Sequence, residues 1–298
     1  MGLDGVVLLD KPKGITSRKA VDIVLKTLGE KKGGHFGSLD PFATGLLCIG
    51  IGSGTKLLPF MEDNIKAYIA TVGLEMFTDT DDVTGKAEKI FEKVNFDKIR
   101  FKEWLTINSG EIIQVPPVYC AQKLNGKPLY RLKRQNKDVS PRAKKVTIHE
   151  IEVFSTDELT VEMRVVCSRG TYIRSLARNM GEFIGCGGYL KELRRLKSEG
   201  FSIEEALTID EIKQRVTEGK SVLISLLNAI KLPVAKVNAE GRDAIIKGKP
   251  VLMSTMINDV SAEDESFVAM LDEDDNLLCV ARVKRSGGIF GYIARGFF

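Results

Sequence analysis

Gly33-Gly34-His35-Phe36-Gly37-Ser38-Leu39-Asp40-Pro41-Phe42-Ala43-Thr44-Gly45-Leu46-Leu47 is the stretch on which the reading of this chain turns. Three glycines between Gly33 and Gly37 let a backbone turn sharply and approach a ligand closely. His35 and Asp40 would then project into the space they leave. Read without any chemistry, Asp40-Pro41 is a turn initiator and His35 a surface histidine. The apolar run from Leu46 to Ile51 that follows predicts a buried strand.

Upstream, Gly5 to Leu9 predicts a strand that ends in the turn Asp10-Lys11-Pro12-Lys13-Gly14. Thr16 or Ser17 can cap a helix whose apolar positions Ala20, Val21, Val24, Leu25 and Leu28 follow helical spacing, with Gly29 as its stop. Downstream, Tyr68 to Val72 predicts a strand, Thr78 to Gly85 a polar loop, and 97–109 a helix carrying the single tryptophan, Trp104. β-branched residues predict strands at 146–154 and 159–167. A helix follows from Tyr172 to Ile184, with Gly185 as its C-cap. Ser202-x-x-Glu205 is a capping-box pattern that predicts another helix. Beyond Leu232, short β-rich runs (267–271, 277–283, 288–294) between acidic or glycine turns predict a small second β-domain. Gly50-x-Gly52-x-Gly54-Thr55-Lys56 fits neither the dinucleotide fingerprint nor the P-loop, which leaves close backbone packing as its use.

With 298 residues, 43% hydrophobic and 28% charged, the chain has a globular composition and a length that suits about two domains. Its N-terminus has no signal-peptide or myristoylation pattern, and no apolar run reaches bilayer-spanning length. A cytoplasmic protein is the expectation. Five separated cysteines and two histidines make neither a disulfide framework nor a zinc site, so no metal is expected. The net charge of +4 is unevenly spread: Lys123 to Lys145 holds nine basic residues against Asp138 alone. A second basic stretch runs from Arg164 to Lys197. Such clustering suits either a phosphate-backbone contact or a solvated charged face.

The opening stretch closely resembles the signature of the bacterial tRNA pseudouridine-55 synthase family, and the resemblance continues in order. Val7-Leu8-Leu9-Asp10-Lys11-Pro12-Lys13-Gly14, Lys66-x-Tyr68 and Gly73-x4-Thr78-Asp79-Thr80-x-Asp82-x2-Gly85 are similar to its successive motifs. Gln114-x-Pro116-Pro117-x-Tyr119-x-Ala121-x-Lys123-x2-Gly126-x2-Leu129-Tyr130 resembles its RNA-binding insertion. Cys167-Ser168-Arg169-Gly170-Thr171-Tyr172-Ile173-Arg174 and Leu193-Arg194-Arg195 resemble the remaining wall of its site. Cys120, Asn136 and Lys144 depart from the family's usual residues in the insertion.

The resemblance implies a mixed α/β (α+β) fold: a mainly antiparallel sheet flanked by helices, with a C-terminal β-barrel-like, PUA-like domain. The implied domains are 1–231, catalytic, with a basic insertion at about 112–146, and 232–298, RNA-binding. The implied activity is isomerisation of the T-loop uridine of tRNA to pseudouridine, with no cofactor and no metal. Asp40 would be the catalytic carboxylate, held ionised and aimed by Arg174. Tyr68 would stack on the uracil and take its C5 proton. Tyr172 and Leu193 would line the pocket, and His35 would fill the space left by the flipped base. Lys56 would lie near the substrate's phosphate or ribose, and Lys123, Lys127 and Arg131 would bind RNA phosphates. The implied partner is the T-arm and T-loop of tRNA, bound by a monomer with no protein partner. Two rivals remain at this point: a subunit of a guide-RNA-dependent synthase, and a non-catalytic tRNA-binding or folding factor.

Overall fold

Alternation along the first strand sets the layering. Val7 and Leu9 face one side of the sheet, and Val6 and Leu8 the other. In the computed structural model, which describes residues 2–61, 64–120, 122–124, 126–135 and 137–298, the first half runs as follows. Strand β1 (Gly5–Lys11) and helix α1 (Ser17–Leu28) lead to β2 (Gly33–His35), β3 (Thr44–Ile51) and β4 (Ile65–Gly73). A small hairpin of β5 (Met76–Thr78) and β6 (Ala87–Ile90) precedes α2 (Lys98–Ile107) and β7 (Gly110–Gln114). A second hairpin, β8 (Lys123–Leu124) and β9 (Lys127–Pro128), leads into α3 (Leu129–Arg134). Ala121 and Asn136 lie outside the described residues, as do the side chains of Lys123 and Tyr130.

The chain then returns to the sheet through β10 (Lys144–Thr156) and β11 (Thr160–Ser168), followed by α4 (Ile173–Ile184), β12 (Tyr189–Ser198) and β13 (Phe201–Ser202). Helices α5 (Ile209–Thr217) and α6 (Leu226–Ala229) lead to β14 (Val234–Lys236), α7 (Ala239–Ile246), β15 (Val251–Leu252), β16 (Phe267–Leu271), β17 (Leu277–Ser286) and β18 (Ile289–Gly296).

The main sheet has the order β1-β3-β12-β4-β11-β10-β7 and is antiparallel except where β3 meets β12. Its α4 face is predictable from spacing: Ile173, Leu176, Ala177, Met180 and Ile184 recur at helical intervals and join Tyr68, Val72, Met163 and Val165 in one core. Gly185, left-handed at φ 91°, ends that helix. On β1 and β3, Val7, Leu9, Leu47 and Ile49 pack on α1, while Val6, Leu8, Leu46 and Cys48 face a core shared with the second sheet. That second sheet, β14-β16-β17-β18-β15, contributes Ala269, Val280 and Phe297 to the shared core. All five cysteines are free and buried. The glycines at 50 and 54 pack backbone on backbone, as their spacing suggested: a Cβ on Gly50 would lie 2.7 Å from the Gly54 carbonyl carbon.

Two elements differ from the sequence reading. The box at Ser202 and Glu205 caps a single 3-10 turn, Ile203–Glu205, instead of a helix. Leu207 is drawn into extended pairing with β1, its N–H donating to Leu8 O at 2.9 Å and its carbonyl accepting from Asp10 N at 2.9 Å. The helix therefore begins later, at α5, under a second capping box made by Thr208 and Glu211. The run Tyr189–Ser198, read in part as a basic stretch, is the interior strand β12, between β3 and β4. Also, β7 and the start of β10 belong to the main sheet, so the basic segment leaves it only between Gln114 and Lys144.

Candidate active site

Asp40 sits in the loop between β2 and β3, and its position is fixed from three sides. Thr16 caps α1 by accepting from Lys19 N at 3.1 Å, which leaves Ser17 for another task. The Ser17 hydroxyl accepts from Leu39 N (2.8 Å) and donates to Leu39 O (3.0 Å), clamping the residue before Asp40. Gly14 N donates to Pro41 O at 2.7 Å, tying down the residue after it. From beneath, Arg195, only 1% exposed, donates to three loop and strand carbonyls: Leu46 O (2.7 Å), Gly37 O (3.2 Å) and Ser38 O (3.4 Å). Gly45, at φ 99°, lies so close to the Arg195 backbone that any side chain there would collide with it.

Arg174, on the first turn of α4, grips Asp40 with two nitrogens: Nε to Oδ2 at 2.9 Å and Nη2 to Oδ1 at 3.2 Å. Two-pronged pairing fixes direction as well as charge. Arg174 is itself anchored by Thr80 O (3.0 Å), Tyr119 O (3.0 Å) and the Asp82 carboxylate (3.3 Å). Asp82 accepts from Thr80 Oγ1 (2.9 Å), Thr84 N (2.9 Å) and Thr84 Oγ1 (2.6 Å), so the polar 78–85 loop builds a socket for the arginine. Lys11 is fully buried beside this group, its ammonium donating to Pro12 O (2.8 Å) and Ile15 O (2.9 Å).

Asp40 keeps 36% of its side chain open, yet the surrounding walls solvate its carboxylate poorly. Burial lifts its pKa above the ordinary value; Arg174 and Lys11 oppose this and Asp82 adds to it. Lys11 is brought down to about 8 by burial, against the pull of Asp40. Tyr68, on β4 directly across from Arg195, is pushed up to about 12 by burial, with Arg195 opposing. Its phenol is thus neutral near pH 7. Tyr68 and Leu193 belong to one buried apolar wall, together with Leu39 and Phe42 of the loop.

The remaining residues singled out from the sequence divide into two groups. His35 is half-buried at the mouth of the loop; its Nδ1 has no hydrogen-bond partner among the described residues, and burial together with Arg195 lowers its pKa. Tyr172 joins Cys120, Leu129 and Leu132 in a small core under the basic segment, with the Lys144 ammonium 4.3 Å from its ring centre. Tyr172 is close enough to feel the charges of Arg174 and Asp40. Lys56 does not reach the Asp40 site: its ammonium donates to Gly296 O at 2.8 Å and lies 5.7 Å from the Phe297 ring, tethering the end of β18. Lys127 and Arg131 are exposed on β9 and α3. Sequence reasoning assigned no role to Ser17 or Asp82 and placed Arg195 only in a wall. Asp82 and Arg195 stood inside quoted motifs, whereas Ser17 looked like an alternative helix cap.

The chain is similar to known proteins along most of its length. A model of the TruB family pseudouridylate synthase N-terminal domain matches residues 25–173, and one of the tRNA pseudouridylate synthase B C-terminal domain matches 174–236. The tRNA pseudouridine synthase B of Geobacter sulfurreducens is 37% identical over 251 residues, 83% of each chain. That of Aromatoleum aromaticum is 40% identical over 83% of this chain and 80% of its own. Among solved structures, a Cbf5-Nop10-Gar1 complex matches with a TM-score of 0.71 at 24% identity, over 99% of this chain and 85% of that one. An H/ACA RNP bound to a substrate RNA containing 2'-deoxyuridine matches with a TM-score of 0.72 at 22% identity, over 99% and 85%. These two share its fold. The matched family model together with the extent of curated similarity places this chain in the TruB family of pseudouridylate synthases.

Proposed function

We propose that the protein isomerises the T-loop uridine of tRNA, position 55, to pseudouridine, with the Asp40 carboxylate working at the reacting nucleoside. The observation that carries this reading is the two-pronged Asp40–Arg174 pair beside the apolar wall of Tyr68 and Leu193. In the reaction the N1–C1′ bond breaks and a C5–C1′ bond forms; the C5 proton leaves and N1 takes one up. No atom is gained or lost, so the chemistry needs a fixed charge near the sugar and a pocket that holds the loose base. Asp40 supplies the charge, Arg174 its aim, and the Tyr68–Leu193 wall the pocket. A neutral Tyr68 phenol accepts the C5 proton only by passing on its own, so its main contribution is stacking.

A stacked uridine must be flipped out to reach this pocket, at a cost of about a few kcal/mol. In this reading His35 fills the space that the base leaves. Lys123, Lys127 and Arg131 draw the T-arm phosphates onto the basic segment. Residues 1–231 act as the catalytic domain and 232–298 as a PUA-like domain that touches the acceptor end. The enzyme works as a monomer in the cytoplasm, without a guide RNA or protein partner.

The test is to incubate the purified protein with an unmodified tRNA transcript and map pseudouridine by carbodiimide-dependent primer-extension stops. A single stop at the T-loop uridine supports the proposal. Tight RNA binding with no stop would favour the guide-dependent or non-catalytic readings. Asp40→Asn is expected to bind RNA normally and make no product, even with enzyme in excess.

A further inference from the structure

Under the catalytic loop lies a buried cluster of charge to which the reaction as described gives no work. Lys66, two residues before Tyr68 on β4, has a side chain only 9% exposed. A Cβ placed on Gly37, whose φ is 114°, would stand 2.8 Å from the Lys66 ammonium, so the loop rests on that charge. The counter-ion is Glu199, in the turn after β12, with a fully buried side chain (0% exposed) and a left-handed backbone at φ 55°. A non-glycine residue in that conformation costs energy, so the surrounding structure has to hold Glu199 there. One Glu199 oxygen pairs with Arg169. The other, Oε1, has no hydrogen bond among the described residues and lies 3.7 Å from the Lys66 ammonium. Among the described residues, Lys66 is the cation that faces that oxygen.

We propose that Lys66, with Glu199 as its buried counter-ion, is a positioning residue for the catalytic loop: its ammonium supports Gly37 from below, beside the Arg195 guanidinium that holds Gly37 and Ser38, and so sets where Asp40 stands. This rests on the reading of Asp40 as the catalytic carboxylate. The groups facing Lys66 come from four strands and two turns. Arg195 on β12 and Arg169 after β11 disfavour its charge; Glu199 favours it, as does Cys167 on β11; Cys48 on β3 and His35 on β2 sense the same charge. Burial is the largest influence and brings Lys66 down to about 8. Above that pH the ammonium becomes neutral, Glu199 Oε1 loses its compensation, and the support under Gly37 relaxes.

The experiment is a kcat–pH profile, from pH 6 to 10, by release of tritium from C5-labelled uridine in tRNA. The wild type should lose turnover above about pH 8. Glu199→Gln removes the partner that favours the charge and should move this alkaline limb down by about half a pH unit or more. Lys66→Arg keeps its charge at every accessible pH and should move the limb up by at least one unit, or abolish it. The ionisation of uracil, and that of Lys11, brought down to about 8 beside Asp40, are common to all three proteins, so only a difference between them reports on Lys66. KM should change less than threefold in either variant. A wild-type rate flat to pH 10, or a limb that stays put in both variants, overturns the inference. If Lys66→Arg does not fold, an unmoved limb in Glu199→Gln is enough to overturn it. No product from the wild type at any pH defeats the underlying reading; product with an unmoved limb defeats this inference alone.

Discussion

The loop that carries Asp40 and the basic segment after Gln114 are built to opposite standards. Around Asp40, Ser17 bonds twice to Leu39, Arg195 reaches three carbonyls, and Phe36, Leu39, Phe42 and Ala43 are all buried. The basic segment rests on a core of Cys120, Leu129 and Leu132, a hairpin of two two-residue strands and a six-residue helix. It closes on itself through the paired bonds of Gln122 with Arg142, at 2.7 and 3.0 Å. The difference teaches where precision is required. A reacting atom displaced by about 1 Å can cost 10²-fold in rate, so a carboxylate with the role proposed for Asp40 must be over-determined. A phosphate contact tolerates far more slack, because its energy depends on charge and counterion release.

If that contrast is right, the largest effect short of removing Asp40 itself follows from cutting the loop from beneath. Arg195→Met leaves the Leu46, Ser38 and Gly37 carbonyls without their donor, each worth about 1–3 kcal/mol when left unsatisfied. Turnover should fall by about 10²- to 10³-fold, with RNA affinity changed less than threefold. Single-turnover rates and a binding isotherm on the same preparation check it. Wild-type turnover would break the idea that the loop is held from below.

The converse experiment strips the basic segment. Neutralising Lys123, Lys127 and Arg131 together should weaken tRNA binding by about 10- to 100-fold and flatten the slope of log K against log salt by roughly 2–3, for three phosphate contacts. The rate at saturating RNA should stay within a factor of two. An unchanged salt slope would mean that these side chains do not meet phosphates.

The sequence made the loop legible and much of its support illegible, for physical reasons. The pairing of Asp40 with Arg174 could be anticipated because turn glycines, a carboxylate and an arginine stand in a recognisable order. The strand β12 was missed because Lys191, Glu192, Arg194, Arg195 and Lys197 give it the look of a solvated face. Register shifts between Leu190 and Glu192 and between Arg195 and Lys197 also break its alternation. A buried arginine leaves no signature in composition; only the three carbonyls it serves reveal it. The capping box at Ser202 misled because capping fixes a helix start only if the chain beyond is free to coil, and Leu207 is held by β1.

A third, milder test asks how thin the basic segment is. Leu129→Ala removes a fully buried side chain from that small core, a change that costs about 2–5 kcal/mol in a cooperative interior. Here the loss should stay local. The melting midpoint should move by less than about 2 °C, while KM for tRNA rises roughly five- to tenfold at unchanged kcat. A large fall in melting midpoint would show that the segment belongs to the main cooperative unit, and the contrast with the loop would shrink.

The smallest effect probes the seam where the two regions are bolted together. Arg178 donates to Asp81 Oδ2 at 2.8 Å and to Val115 O at 3.2 Å, joining the 78–85 loop to the root of the basic segment. Burial, with Glu182 and Asp82, disfavours the Asp81 charge, while Arg178 and Arg174 favour it. Burial wins, and the carboxyl is pushed up to about 6. In the unfolded chain it would titrate near 4, so between pH 4 and 6 the folded state binds the proton more tightly. The share of Asp81 in stability is therefore lowest above pH 6 and grows as pH falls toward 4. This is opposite to a carboxylate stabilised by its ion pair. Urea midpoints of the wild type and Asp81→Asn at pH 7 and 4.5 isolate the term, since Asn does not titrate. The wild type should gain about 1–2 kcal/mol on the variant as pH drops. A gain in the other direction would mean that the arginine outweighs burial, and that the seam is held by charge rather than by packing.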